Sequence, residues 1–98
     1  MKSVIGEATI AHRVLELDLP MTAEEALAAC EGRGLLVTSE RELAGRPGSR
    51  HWHLRRPGRT GTLELSQCER RVWVKIHPRR DGGWAERLAR ELAEASPT

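Results

Sequence analysis

The sequence predicts a single small α+β domain in β-α-β-β-β-β-α order, a mostly antiparallel sheet with two helices packed on one face. Three observations predict it. Leu15, Leu17 and Leu19 alternate with Glu16 and Asp18, the period of two of a half-buried strand. Two segments, opening near Thr22 and Trp84, carry apolar residues at helical spacing. Between them, turn residues divide residues 51–77 into two hairpins whose apolar positions meet. Ninety-eight residues fit one domain, 1–98 with a frayed tail at 96–98, on a prior of about 100–200 residues per domain. A charged fraction of 31% beside 39% apolar residues fits a globular chain rather than a disordered one. With no Phe or Tyr, the core must come from aliphatic residues and three Trp.

In the first segment, Val4, Ala8, Ile10 and Val14 keep an even phase and the later leucines an odd one. A bulge near Arg13-Val14, or a hairpin at Gly6-Glu7, accounts for the flip. Pro20 ends the strand, and Thr22-Ala23-Glu24-Glu25 has the spacing of a capping box, Thr22 serving the Glu25 amide while Glu25 reaches back. Ala23, Ala26, Leu27 and Cys30 share one face of that helix, and Gly32 or Gly34 supplies its left-handed stop.

A strand from Leu35 runs into Ser39-Glu40-Arg41, followed by a loop at 42–50 marked by Gly45, Pro47 and Gly48. Strand 51–56 turns at Pro57-Gly58-Arg59-Thr60 into strand 61–66, which turns at Gln67-Cys68-Glu69-Arg70 into strand 71–77. Centring both turns gives the apolar rows Trp52–Leu65–Val72 and Leu54–Leu63–Val74, with Ile76 beyond. A one-residue slip would break those rows by turning every side chain over. The other face then carries His51–Ser66–Arg71, His53–Glu64–Trp73 and Arg55–Thr62–Lys75. Asp81 stands where it could cap a closing helix, 84–95, whose core stripe is Trp84, Leu88, Leu92 and Ala95; Glu86/Arg90, Arg87/Glu91 and Arg90/Glu94 are spaced for pairs on its outer face.

Charge is distributed unevenly. Residues 46–80 carry ten basic side chains against Glu64 and Glu69, a net of +8 in a chain whose total is +2. A segregated basic surface implies an anionic partner. On the second face of the meander, Arg55, Arg71 and Lys75 can meet phosphates, Trp73 can stack on a base, and His53 can hydrogen-bond, the combination that single-stranded nucleic acid requires. The expected function is therefore binding of RNA or single-stranded DNA on a basic sheet face. The alternative is a structural or protein-interaction module, or a homodimer, that buries the same face. A third reading, a small ribonuclease, uses His51 or His53 with Glu64, since a carboxylate beside an imidazole fixes its tautomer and raises its basicity. The chain is expected to be a binding protein rather than an enzyme.

No metal site or cofactor is expected: the donors His51, His53, His77 and Cys68 are spread over strands that do not bring all four together, and no phosphate-cradling loop is present. Cys30 reads as a small buried hydrophobe. With Cys30 and Cys68 far apart, no long apolar run and no secretory leader, a cytoplasmic protein off the membrane is expected.

Gly48-Ser49-Arg50-His51, followed by Arg55-Arg56-Pro57-Gly58, resembles the Gly-Ser-His-His and Arg-His-Pro run of the small mRNA-cleaving toxins of hic-type toxin–antitoxin pairs. The resemblance covers about ten residues and implies an RNA ligand, with His51 at the catalytic position and an α-β-β-β-α fold akin to double-stranded RNA-binding domains. This chain departs from the pattern in Arg50, in a spacing one residue longer and in its additional strands.

Overall fold

The computed structural model describes residues 14–42, 48–77 and 83–95. Its elements are β1 (Leu15–Asp18), α1 (Ala23–Gly32), β2 (Leu36–Glu42), β3 (Arg50–Arg55), β4 (Leu63–Cys68), β5 (Arg71–Ile76) and α2 (Trp84–Glu94). The element order and the antiparallel sheet are those the sequence predicts. The five strands form one sheet in the order β1-β5-β4-β3-β2, each neighbouring pair antiparallel. The parity flip expected near Arg13 and the loop glycine Gly45 lie outside the described residues.

Helix α1 starts and stops as its sequence dictates. Thr22 Oγ1 accepts from the Glu25 amide at 3.1 Å, and the Thr22 amide donates to Glu25 Oε1 at 3.0 Å, closing the capping box. At the other end Gly34 is left-handed (φ +89), and the Leu35 and Gly34 amides donate back to the Cys30 and Glu31 carbonyls. That is the paired C-terminal arrangement that glycine permits. For α2 the described cap is Gly83, left-handed with no side-chain bond, while Asp81 lies outside the described residues. Glu86 and Arg90 pair at 3.0 Å as spaced, but Glu91 reaches Arg33 at the end of α1 instead of Arg87. Ala95 is exposed rather than part of the buried stripe.

Both helices press on one face. Ala23, Ala26 and Cys30 from α1 and Trp84, Ala85, Leu88, Ala89 and Leu92 from α2 join Trp52, Leu54, Leu63, Leu65, Val72, Val74 and Ile76 in a single core. Trp84 donates its indole N–H to the Thr60 carbonyl at 2.7 Å, so its polar atom is satisfied inside the core. Burial pushes the Cys30 thiol up to about 11, consistent with an inert packing residue.

The first hairpin has the register its sequence predicts: His51 faces Ser66, Trp52 faces Leu65, His53 faces Glu64 and Leu54 faces Leu63. The second is shifted by two residues. Leu65 faces Val74 rather than Val72, and Leu63 faces Ile76 rather than Val74. The turn is tighter than expected: Cys68 pairs with Arg71, so only Glu69 and Arg70 lie between the strands, with Glu69 left-handed at φ +56. A two-residue shift preserves which face each side chain occupies. It also brings Ile76 into an apolar row and sets Lys75 opposite Glu64, pairings that favour it over the centred turn.

Strand β1 completes these rows. Leu17 pairs with Val74 and Leu15 with Ile76, extending both apolar rows, while Glu16 pairs with Lys75 and Asp18 with Trp73 on the other face.

Candidate functional site on the open sheet face

No described element packs over the face opposite the helices. Two cross-strand rows span it from β2 to β1. One runs Arg41–His51–Ser66–Trp73–Asp18 and the other Ser39–His53–Glu64–Lys75–Glu16. Ser39 reaches this face through an irregularity between Val37 and Ser39 that advances β2 against β3.

The centre of the face is a compact cluster. His51 and His53 project from the same side of β3 because side chains two apart share a face. Their Nε2 atoms lie 3.2 Å apart, with the rings edge to face. Glu64 on β4 places Oε1 at 3.5 Å from His51 Nε2 and Oε2 at 3.7 Å from His53 Nε2. Each imidazole is held from behind by a hydroxyl: Ser66 Oγ is 2.8 Å from His51 Nδ1, and Ser39 Oγ is 2.9 Å from His53 Nδ1. Lys75 Nζ stands 3.8 Å from Glu64 Oε1, the oxygen that also faces His51. The side chains of His51 and Glu64 are 18% and 20% exposed, and that of His53 36%, so the cluster is sheltered yet reachable from solvent.

Burial lowers the His51 pKa below its ordinary 6.5, working against Glu64, which raises it; electrostatic coupling to His53 and to the cations Lys75 and Arg41 lowers it further. His51 is thus harder to protonate than a solvated imidazole, and both of its nitrogens have a hydrogen-bond partner, Ser66 Oγ at Nδ1 and His53 Nε2 at Nε2.

The remaining nucleic-acid candidates are distributed around this centre. Arg71 lies over Trp73, its guanidinium carbon 4.2 Å from the ring centroid, and pairs with Asp18 at 2.8 Å and Glu16 at 3.8 Å. It is therefore neutralised by β1, whose placement in the sheet the sequence leaves open. Trp73 sits beside Ser66 and Asp18 rather than beside Glu64. Arg55, at the end of β3, makes no ion pair among the described residues; with Thr60, Gly61, Thr62, Glu64 and His77 it lines a groove of about 670 Å³. Arg41, opposite His51, is a further cation on this face that the sequence reading does not single out.

The donors considered from sequence are divided. His51 and His53 converge with Glu64, whereas His77 lines the adjacent groove and Cys68 stands at the opposite end of β4, where its sulfur accepts from Ser49 Oγ at 3.0 Å. Ser49 is itself buried. The Ser66 support of His51 is readable from the hairpin register, since 51 and 66 pair there. The Ser39 support of His53 is not, because it depends on the β2 irregularity.

No helix among the described residues is long and apolar enough to cross a membrane. Comparison with protein-family models, curated proteins and solved structures returned no match.

Proposed function

We propose that the open face of the sheet binds a single strand of nucleic acid, RNA or single-stranded DNA, across the groove beside Arg55. The carrying observation is that both helices pack on the other face while Arg55, unpaired among the described residues, borders a groove of about 670 Å³ next to His53, Glu64 and Lys75. That volume is in the range of sites for small ligands, about 300–1,000 Å³, and so can seat one nucleotide of a strand. Arg55 and Lys75 meet phosphates, His53 hydrogen-bonds, and the part of Trp73 left uncovered by Arg71 contacts a base. Arg71 orients Trp73 and becomes a phosphate contact only when it leaves Asp18.

Tryptophan fluorescence tests this reading well, because Trp52 and Trp84 are each only 2% exposed and Trp73 is the partly exposed indole. Titration with a short RNA or single-stranded DNA at low salt should quench emission, added salt should reverse it, and Trp73→Phe should abolish it. Absence of quenching, supported by absence of a mobility shift, rejects the proposal.

A protein partner is the second reading, favoured by edge strand β2, where Leu36 is 60% exposed beside Arg55 on this face and Val37 is 37% exposed on the other. Light scattering on the isolated chain tests its homodimeric form.

A further inference from the structure

We propose that His51, His53 and Glu64 form a binding site for a divalent first-row metal ion of the zinc class. The inference is independent of whether the face binds nucleic acid, and it follows from the spacing of the three ligand atoms and from how they are held.

Zinc–nitrogen bonds of about 2.0–2.1 Å at tetrahedral angles place two ligand nitrogens about 3.3–3.4 Å apart. The two Nε2 atoms here are 3.2 Å apart, and the nearest Glu64 oxygens are 3.5 and 3.7 Å from them. All three donor atoms lie within 4.8 Å of one another. The two contacts use different oxygens of Glu64, so the carboxylate must turn about its side-chain torsions to bring one oxygen to the third position. Two imidazoles and one carboxylate form a donor set that zinc accepts, and the exposed side of the cluster leaves its fourth position to water or to an anionic oxygen.

The support behind the ligands is that of a metal site. An imidazole that coordinates through Nε2 needs its Nδ1–H fixed by an acceptor, which sets the tautomer and the ring plane. Ser66 and Ser39 occupy those positions behind His51 and His53 at 2.8 and 2.9 Å. With no ion, the 3.2 Å contact between the Nε2 atoms requires one ring to carry its proton there and the other to accept. Metal binding moves that one proton to Nδ1, where the serine oxygen accepts it, and leaves both Nε2 lone pairs directed at the ion. Both histidines are needed, and His-x-His on a strand provides them only because β3 is regular at this point.

Two cations oppose the ion. Lys75 stands 3.8 Å from Glu64 Oε1, and Arg41 pairs across from His51. The Lys75 side chain is 37% exposed on a flexible stem and can withdraw from the carboxylate as the ion arrives. Its removal should therefore tighten binding, an effect opposite in sign to loss of a ligand.

The test uses the full chain, freed of metal by a chelator, with Zn2+ and Co2+ themselves as probes. Calorimetry should find one Zn2+ per chain, and Co2+ should give visible absorption bands that Zn2+ displaces. His51→Gln, His53→Gln and Glu64→Gln should each weaken binding by at least tenfold, while Lys75→Gln should strengthen it several-fold. Circular dichroism checks that each variant is folded. In the unaltered protein, nitrogen-detected NMR should show the Nε2 resonances of His51 and His53 shifting with Zn2+ while His12 and His77 remain in place. No one-to-one binding, binding that survives the His51→Gln/His53→Gln double variant, insensitivity to Glu64→Gln, or shifts at His12 or His77 instead would each overturn the proposal.

Discussion

Arg71 lies across the face of Trp73 at 4.2 Å from the ring centroid, and the same side chain donates from Nε to Asp18 at 2.8 Å. One guanidinium is thus shared between an aromatic plane and a carboxylate from the neighbouring strand. The Asp18–Arg71 pair is exposed, and such pairs contribute about 0–1 kcal/mol to stability, so its effect is chiefly on what Arg71 is free to bind.

Asp18→Ala should leave folding nearly unchanged and tighten binding of a single-stranded oligonucleotide. If Arg71 then meets one more phosphate, the salt dependence of log K should steepen by roughly 0.7 for a single strand. Titrations at several salt concentrations provide the measurement. An affinity unchanged by Asp18→Ala would remove Arg71 from the nucleic-acid surface.

His51 should destabilise the fold as pH falls. Its native pKa lies below the ordinary 6.5, mainly through burial, so above 6.5 it is neutral in both states and imposes no cost. Below 6.5 the unfolded chain takes up a proton that the native state resists, and stability drops until the depressed native pKa is passed. Glu64 opposes the shift, while His53, Lys75 and Arg41 add to it. An NMR titration should place His51 below 6.5 in the metal-free protein, and the stability gap between it and His51→Gln should change over that window. A midpoint at or above 6.5 contradicts the prediction.

Leu65 is fully buried between Trp52 and Val74, so Leu65→Ala should cost about 2–5 kcal/mol through lost transfer energy and the cavity left behind. Leu36, 60% exposed on the edge strand, should tolerate Ala within about 0.5 kcal/mol. Urea unfolding midpoints compare the two.

Glu69 holds a left-handed backbone at φ +56 in the two-residue turn between β4 and β5. A non-glycine residue in that region costs about 1–2 kcal/mol, and glycine regains part of this while adding freedom to the unfolded chain. Glu69→Gly should therefore stabilise the protein by about 0.5–1 kcal/mol in denaturant unfolding. Destabilisation would indicate that the Glu69 side chain contributes more than its backbone strain costs.

Local chemistry determined most of the fold. The capping box at Thr22 and Glu25, the glycine stop at Gly34, the leucine alternation in β1 and the apolar stripe of α2 each depend on residues within a few positions of one another, so sequence spacing carries them. The register of the first hairpin was legible for the same reason, and with it the pairing of His53 with Glu64 and of His51 with Ser66.

Tertiary structure decided the rest. Choosing the two-residue turn over the four-residue one shifted β5 by a pair, and the preference arises only once Ile76 and Lys75 find Leu63 and Glu64 across the sheet. Docking β1 on β5 brought Glu16 and Asp18 onto the open face and neutralised Arg71, a contact between residues far apart in the chain. The sequence therefore established which side chains of the central strands β3, β4 and β5 share a face. Their distances, and hence whether that face reads as a field of free cations or as a sheltered His51–His53–Glu64 cluster, were set by long-range strand pairing that no local spacing encodes.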